Sequence, residues 1–383
     1  MKDKILISPS PLADFCVAPW GSVLYLGNGR FALDHEKAFN RQRRMLNAGA
    51  NMSRILRSPR WAVPAGQEFD YTHPDYFPVL RKYLKILHNP CQGTPTGQGA
   101  RVVIEPFDGC SEKRWYNKAY YEEARQLLRA FFYQTADLDF VDIGAGNEME
   151  DQDDSLPLFR DVIIPEFDKV GRVPFSYGAT YSVRHGDGLI VAQKQVASKK
   201  WGDDTSFAIY KQVHGCRDQS SENLIQAVEW WARHRMCTFF SVDGVRDGAS
   251  PCDFYDDQVR PSAAQFMGAV KHVLDYVSAG LKPKFTLSTG QPKFAFEFIS
   301  KVWNNDACGA LPIIAVSELY KAKFGEWPEN WGKYPNDWIE PPTPPSPPPP
   351  EPPTPPIVIK PCSYFLKRRN IWHWLRCVLF GKH

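Results

Sequence analysis

Apolar and polar residues alternate in short runs through the first 340 residues, and longer stretches with an apolar residue every three or four positions separate these runs. Alternation is typical of β-strands, and the longer period is typical of amphipathic helices. The alternating runs predict strands at eight places: 23–33, 51–57, 101–108, 139–148, 174–180, 207–214, 237–243 and 293–300. The longer period predicts helices at 34–48, 76–88, 118–134, 158–170, 189–201, 223–234, 262–277 and 313–325.

Eight strand–helix units without an internal repeat predict a single α/β domain, a (β/α)8 TIM barrel over residues 1–340, which we expect to be monomeric. An open, doubly wound sheet is the alternative. It would favour a glycine-rich phosphate turn after its first strand. Gly27-Asn28-Gly29-Arg30 matches that turn weakly, because it lacks the third glycine and the helix that should follow.

A proline-rich linker is predicted after the barrel, since 12 of the 16 residues at 341–356 are Pro. Such a segment adopts polyproline II and acts as a spacer, here roughly 50 Å long at about 3.1 Å per residue. Recognition by an SH3-type domain is the other use open to it.

The C-terminal tail, residues 357–383, carries six Lys or Arg and no acidic residue, whereas the whole chain has a formal net charge of only +3. The rest of the chain is therefore slightly acidic, which argues against nucleic acid as a partner. The basic residues of the tail are interleaved with Trp, Phe and Leu. This mixture predicts either peripheral membrane contact or docking on a protein surface, and the sequence leaves both open.

The sequence predicts neither export nor a membrane span. The apolar run Ile5-Leu6-Ile7 is too short for a signal peptide, and no apolar window reaches the length of a spanning helix. The nine Cys lack CxxC pairs and the Cys/His spacing of a zinc site, which is typical of reduced thiols. The default expectation is a cytoplasmic protein.

Polar residues stand at the ends of several predicted strands, where (β/α)8 enzymes carry their active sites. Arg54 lies at the end of the second strand, Asp108 at the end of the third, and Asn147 and Glu148 at the end of the fourth. Asp108 is a candidate for binding substrate.

The later strands add further candidates. Gln212 and His214 end the sixth strand as substrate-binding candidates, and Asp243 ends the seventh. In the eighth strand three Phe alternate with residues that include Glu297. Because the Phe face suits the helix layer, Glu297 is predicted to point into the barrel.

The fourth strand ends unusually, since residues 141–150 read VDIGAGNEME. Small residues let a strand end approach a ligand closely, an amide can bind a hydroxyl, and a carboxyl can transfer protons. A strand four that ends in Asn-Glu resembles the clan A glycoside hydrolases, in particular family 5. Residues 39–56, in which Gly49 and Asn51 precede Arg54, resemble the passage from helix one to strand two in that family.

The resemblance implies roles for five residues. Glu148 would be the general acid/base and Asn147 would bind the sugar 2-hydroxyl. Arg54 would orient the nucleophile, His214 matches a His often found at the end of strand six, and Trp303 would be a sugar platform.

One departure concerns the second carboxylate. The family has a nucleophilic Glu at the end of strand seven, where this chain has the shorter Asp243. Retaining enzymes need about 5–5.5 Å between the carboxyl groups and inverting enzymes about 6.5–9.5 Å. Asp243 as nucleophile, Asp243 as the base of an inverting enzyme, Glu297 as second carboxylate, and loss of catalysis all stay open.

The sequence therefore predicts a glycosidase that cleaves O-glycosidic bonds in a polysaccharide or oligosaccharide without a cofactor. The alternatives are a non-catalytic carbohydrate-binding barrel and a cell-envelope lysin with a membrane-active tail. The acidic run at 148–154 is predicted to be a solvated loop rather than a metal site.

Overall fold

The structure is a computed structural model that describes just under half of the chain. The described residues are 5–10, 14–18, 21–57, 66–90, 97–108, 112–146, 156–172, 174, 177–181, 209–213, 239–242, 270–271, 274–275, 278, 294–299 and 310–334. The chain divides into two compact units, Met1–Ile339 and Glu340–His383, and every described residue lies in the first. The predicted linker and tail lie outside the described residues.

The described residues form ten strands and five main helices. The strands are β1 (Ile5–Ser10), β2 (Val23–Gly27), β3 (Arg30–Leu33), β4 (Met52–Leu56), β5 (Arg101–Glu105), β6 (Val141–Ile143), β7 (Tyr177–Tyr181), β8 (Ile209–Val213), β9 (Phe239–Val242) and β10 (Phe294–Ile299). The main helices are α1 (His35–Asn47), α2 (Tyr76–His88), α3 (Tyr121–Gln134), α4 (Ile164–Lys169) and α5 (Leu311–Phe324).

Eight of these strands form two parallel sheets. One has the order β1-β10-β9-β8-β7 and the other the order β4-β5-β6. The backbone N–H of Asn51, just before β4, donates to the carbonyl of Ile7 on β1 at 3.0 Å, so β4 lies beside β1. Strands adjacent in space are therefore successive parallel strands in the chain, with β10 beside β1. The predicted mixed α/β class with a parallel sheet is confirmed.

The predicted first strand, 23–33, is wrong, because this segment is the antiparallel hairpin β2–β3. Its turn residues Asn28 and Gly29 have φ of 51° and 69°. Positive φ at both central positions is the backbone of a type I′ turn, which Asn-Gly favours. The first parallel strand is β1, whose residues 5–8 are all buried. A strand buried on both faces shows no alternation, which is why the sequence pattern missed it.

The helices follow the predicted apolar period. On α2 the buried residues recur at every third or fourth position: Tyr76, Val79, Leu80, Tyr83, Leu84 and Leu87. On α3 they are Tyr121, Ala124, Leu127, Leu128, Phe131 and Phe132. These faces pack on the β4-β5-β6 sheet in one continuous apolar core. Asp34 caps α1 by accepting a hydrogen bond from the Lys37 N–H at 3.0 Å. No helix in the described part of the chain is long and apolar enough to cross a membrane.

The other predicted helices are described in part. The segment predicted at 158–170 is helical: a π-helical turn, Phe159–Ile163, runs directly into α4, and Pro165 is the second residue of α4. The segment predicted at 262–277 is helical at 270–271 and 274–275. The helices predicted at 189–201 and 223–234 lie outside the described residues.

The segment after α5 covers the amino ends of β4 and β5. The Asn330 amide donates to the carbonyls of Ala50 and Gly99, both at 2.8 Å, and each of these residues lies two positions before its strand begins. Tyr334 N–H donates to the Asn47 side chain at 2.7 Å. The amino edge of the sheet is thus occupied by the chain itself, which leaves the opposite, carboxyl edge for a functional site.

Candidate functional site

The carboxyl edge contains a buried ion pair between neighbouring strands. Arg54 on β4 and Glu105 at the end of β5 are joined by an Nε–Oε1 distance of 2.9 Å, and both side chains are 0% exposed. Two charges of this kind are stable inside a protein only when each is compensated by the other and by hydrogen bonds. The pair therefore fixes the carboxyl ends of β4 and β5 relative to one another.

The small residues that follow β6 lie against this pair. The Gly146 N–H donates to Glu105 Oε2 at 3.1 Å. A Cβ on Gly144 would stand only 1.9 Å from the same oxygen, so no side chain fits at that position. The sequence pattern suggested that these small residues make room for a ligand. Here Gly144 makes room for the carboxylate of Glu105.

A second buried cation, Arg57, ties together two loops at the same edge. Its guanidinium pairs with Asp70 and with both oxygens of Glu112, and its Nε donates to the Pro106 carbonyl at 3.1 Å. The Trp115 indole N–H also donates to Glu112, at 2.8 Å. Burial would lower the pKa of Arg57, but Glu112 and Asp70 outweigh it and raise the pKa above its ordinary value. The group is a permanent cation that organises the loops after β4 and β5.

The β2–β3 hairpin is attached to the β4–α2 loop through Asp75. Arg30 Nε donates to Asp75 Oδ2 at 2.8 Å, and the Phe31 N–H donates to the same oxygen at 2.9 Å. These two hydrogen bonds, that of Arg30 first, lower the pKa of Asp75 below its usual value. The loop that follows β1 is thereby fixed to the loop that follows β4.

Asp14, in the segment after β1, is the centre of a third buried network. Its Oδ1 pairs with Arg41, and its Oδ2 accepts hydrogen bonds from the Tyr83 hydroxyl at 2.6 Å and the Ser22 hydroxyl at 2.8 Å. Burial and then the charge of Asp14 raise the pKa of Tyr83 well above its ordinary value. Burial and then Asp14 likewise raise the pKa of Cys16 to about 12. Both groups are therefore protonated. The Tyr83 hydroxyl joins the segment after β1 to α2, and Arg41 joins it to α1.

Residues of the five-stranded sheet form a polar row. Strand register places Gln212 level with Thr180 and Ser241, Ser241 level with Glu297, and Glu297 level with Ser8. In a parallel sheet, residues in register belong to the same face. Gln212 and Glu297 therefore occupy the same row of the sheet.

The remaining predicted site residues divide into two groups. Arg54 and Asp108 are described and both are buried at the carboxyl edge, and the Asp108 carbonyl accepts the Glu112 N–H at 3.0 Å. The others lie outside the described residues: Asn147, Glu148, His214, Asp243 and Trp303.

Sequence reasoning missed Glu105 as a site residue. The signal was present, because an acidic residue inside an otherwise apolar strand must have a buried partner. It also missed the Asp14 network, for which the sequence offers only a short Asp-Phe-Cys segment between two loops. Among the described residues no group of three His, Cys, Asp or Glu is arranged to hold a metal ion.

Comparisons with known proteins do not assign the chain to a family. No family model matches the chain. No curated protein sequence matches it either. Among solved structures it is similar to the apo form of a β-glucosidase, with a TM-score of 0.32 and 11% identity, over 70% of this chain and 78% of that one. It is also similar to a DUF72 family protein from Enterococcus faecalis, with a TM-score of 0.30 and 9% identity, over 84% and 96% of the two chains. Similarities of this size carry no argument about fold or activity.

Proposed function

We propose that residues 1–340 form a (β/α)8 barrel with glycoside hydrolase activity, which cleaves O-glycosidic bonds in a polysaccharide or oligosaccharide by a two-carboxylate mechanism. The strand order supports the barrel, because parallel strands that follow one another in the chain lie side by side and β10 lies beside β1. Closing the barrel requires only that β6 pair with β7.

The observation that carries the proposal is the buried Arg54–Glu105 pair and its hydrogen bond from Gly146. In the sequence Asn147 and Glu148 follow Gly146 directly. A (β/α)8 enzyme has its reacting groups at this edge, on strand ends that are rigidly held. Glu105 supplies such rigidity at the end of β6 through an ion pair and a hydrogen bond that are both shielded from water.

In the proposed mechanism Glu148 protonates the leaving oxygen and later activates water. A second carboxylate, Asp243 or Glu297, attacks or stabilises the anomeric carbon. Asn147 holds the sugar 2-hydroxyl, and Gln212, His214, Asp108 and Trp303 complete the substrate-binding set. Arg54, on the second parallel strand (β4), would orient the nucleophile, as the resemblance implies, and it also holds Glu105.

The test of the proposal is hydrolysis of a panel of polysaccharides and aryl glycosides, with released reducing ends or phenol as the readout. Glu148→Gln should reduce turnover of an unactivated glycan by about 10²–10⁴-fold, the usual contribution of general acid catalysis. An aryl glycoside with a good leaving group should lose less, since its departure needs little protonation. Glu329→Gln, at an exposed position after α5, is the matched control and should be neutral.

The second carboxylate is identified with the same panel. Loss of turnover in Asp243→Asn, with Glu297→Gln near neutral, would assign it to Asp243, and the reverse result would assign it to Glu297. If the wild-type chain binds glycans in calorimetry but releases no reducing ends from any of them, the enzyme proposal is wrong and the non-catalytic carbohydrate-binding barrel takes its place.

A further inference from the structure

Glu105 contacts the ends of three successive parallel strands at once. It belongs to β5, its Oε1 binds Arg54 of β4 at 2.9 Å, and its Oε2 accepts the N–H of Gly146, three residues beyond the end of β6, at 3.1 Å. Each carboxylate oxygen thus has its own donor on a different neighbouring strand. This divided attachment fixes the direction of the carboxylate as well as its position.

The backbone after β6 is shaped to fit this carboxylate. Gly144 N–H donates to the Ile104 carbonyl at 2.8 Å, which continues the ladder between β5 and β6 by one residue. At Gly144 the Glu105 carboxylate fills the place of a side chain, with its carboxyl carbon 2.3 Å from where a Cβ would be. The Gly146 N–H is therefore bound by the side chain of Glu105 on β5 and not by a backbone carbonyl of that strand.

A partly buried Arg–carboxylate pair between β5 and β6 provides a contrast. Arg101 on β5 and Asp142 on β6 are joined at 2.9 Å, and the Asp142 side chain is 2% exposed. That pair links the two strands at the start of β5, the end of the strand opposite to Glu105. Both pairs can stabilise the sheet. Of the two carboxylates, it is Glu105 that accepts the hydrogen bond from the Gly146 N–H.

We propose that Glu105 is a positioning residue: with Arg54 it fixes the backbone at Gly146, from which Asn147 and Glu148 follow in the chain. The inference rests on the proposed function for its catalytic consequence. Only two peptide bonds separate Gly146 from Glu148, so freedom at Gly146 passes directly to the proposed general acid/base. Misplacement of a reacting group by about 1 Å can reduce a rate by about 10²-fold.

The experiment compares two double variants of the full chain. Arg54→Met/Glu105→Leu removes the Glu105 pair and the acceptor for Gly146 without leaving a buried charge alone. Arg101→Met/Asp142→Leu removes the control pair in the same way. Hydrogen exchange is read by mass spectrometry on the peptides that cover 140–150 and, as a reference for global stability, on those that cover α3. The kcat and KM are measured on an aryl glycoside that the wild-type chain hydrolyses.

We expect exchange at 140–150 to become about tenfold faster or more in Arg54→Met/Glu105→Leu while α3 stays as in the wild type, and neither change in the control. We expect kcat to fall by about 10²-fold with little change in KM in the first variant alone. If that variant does not fold, Glu105→Gln, which keeps one acceptor oxygen, should shift both readouts in the same direction by less.

The outcomes separate the inference from the proposed function. Unchanged exchange at 140–150, or faster exchange with unchanged kcat, would overturn the role of Glu105 and leave the glycosidase proposal standing. Faster exchange in a chain whose wild type hydrolyses no glycoside of the panel would support the attachment of Gly146 to Glu105 and overturn the glycosidase proposal.

Discussion

Asn51 and Ile7 exchange hydrogen bonds in both directions across the boundary between the two parallel sheets. The Asn51 N–H donates to the Ile7 carbonyl at 3.0 Å, and the Asn51 side-chain oxygen accepts the Ile7 N–H at 2.7 Å. The side-chain nitrogen of Asn51, Nδ2, also donates to the Ile5 carbonyl at 2.9 Å. The side chain of Asn51 thus makes two hydrogen bonds to the backbone of β1, and its backbone N–H makes a third.

The first prediction concerns this side chain. Asn51→Ala should lower the free energy of unfolding by about 2–3 kcal/mol, because it leaves a backbone donor and a backbone acceptor of β1 without their partners. In Asn51→Asp the protonated carboxyl could still accept from Ile7 and donate to Ile5, whereas the ionised carboxylate would face the Ile5 carbonyl without a proton to donate, so this variant should cost more at pH 7 than at pH 3. Urea denaturation followed by circular dichroism measures both. Asn40→Ala on α1 is the control, and an equal loss there would contradict the assigned role.

The second prediction concerns Gly144. Gly144→Ala should destabilise the protein by about 1–3 kcal/mol, the usual cost of overpacking, because the new methyl group meets the Glu105 carboxylate. In the background Arg54→Met/Glu105→Ala the same change should cost little, since that space is then empty. The coupling between the changes is read from a double-mutant cycle.

Gly171→Ala provides the comparison for Gly144. Gly171 has a φ of 65° and no atom near a would-be Cβ, so its cost comes from the left-handed backbone alone. That cost should be independent of the residues at 54 and 105. If the Gly144→Ala cost is also unchanged in the double-variant background, the steric contact with Glu105 is not its cause.

Some elements could be predicted from the sequence because a single local signal defines them. The bounds of α2, Tyr76–His88, coincide with the prediction, since its apolar residues recur with the helical period over the whole segment. The single strand predicted at 23–33 was wrong for a different reason. The β2 and β3 segments both alternate, and only the Asn28-Gly29 turn separates them. An Asn-Gly pair between two alternating segments is itself the hairpin signal, and it was overlooked.

The pairing of Arg54 with Glu105 could not be predicted in the same way. In the register of β4 and β5, Arg54 is level with Val103, so it reaches Glu105 diagonally. That register is set by how the sheet packs against its helices and not by any residue pattern within either strand. No pattern in the sequence identifies Glu105 as the partner of Arg54.

The third prediction concerns the thiol of Cys16. The side chain is buried, and burial followed by Asp14 raises its pKa from 9.0 to about 12, so very little thiolate exists near neutral pH. Iodoacetamide at pH 8 should leave Cys16 unmodified in the native protein and alkylate it rapidly in guanidinium chloride. Peptide mass spectrometry of the segment that contains Cys16 gives the result. Rapid alkylation under native conditions would contradict the burial of this segment.

The last prediction concerns Glu166 on α4, which links α4 to α3. Its carboxylate accepts from Arg129 at 2.9 Å and from Lys169 at 2.6 Å, and the side chain is 2% exposed. Burial alone would raise its pKa, but the hydrogen bonds from Arg129 and Lys169 outweigh burial and lower the pKa below the ordinary 4.5. The stabilisation is therefore fully present above about pH 4.5 and is lost as the pH falls through the lowered value.

Glu166→Gln removes this pH-dependent stabilisation. At pH 7 the variant should be less stable than the wild type by about 1–3 kcal/mol, the range for hydrogen bonds to charged groups. The difference should shrink as the pH is lowered from 6 to 3, because the wild-type carboxylate becomes protonated and loses the same interactions. Urea denaturation at several pH values measures it, with Glu329→Gln as the exposed control. A difference that stays constant over this range would mean that Glu166 stabilises the contact between α3 and α4 by packing and not by charge.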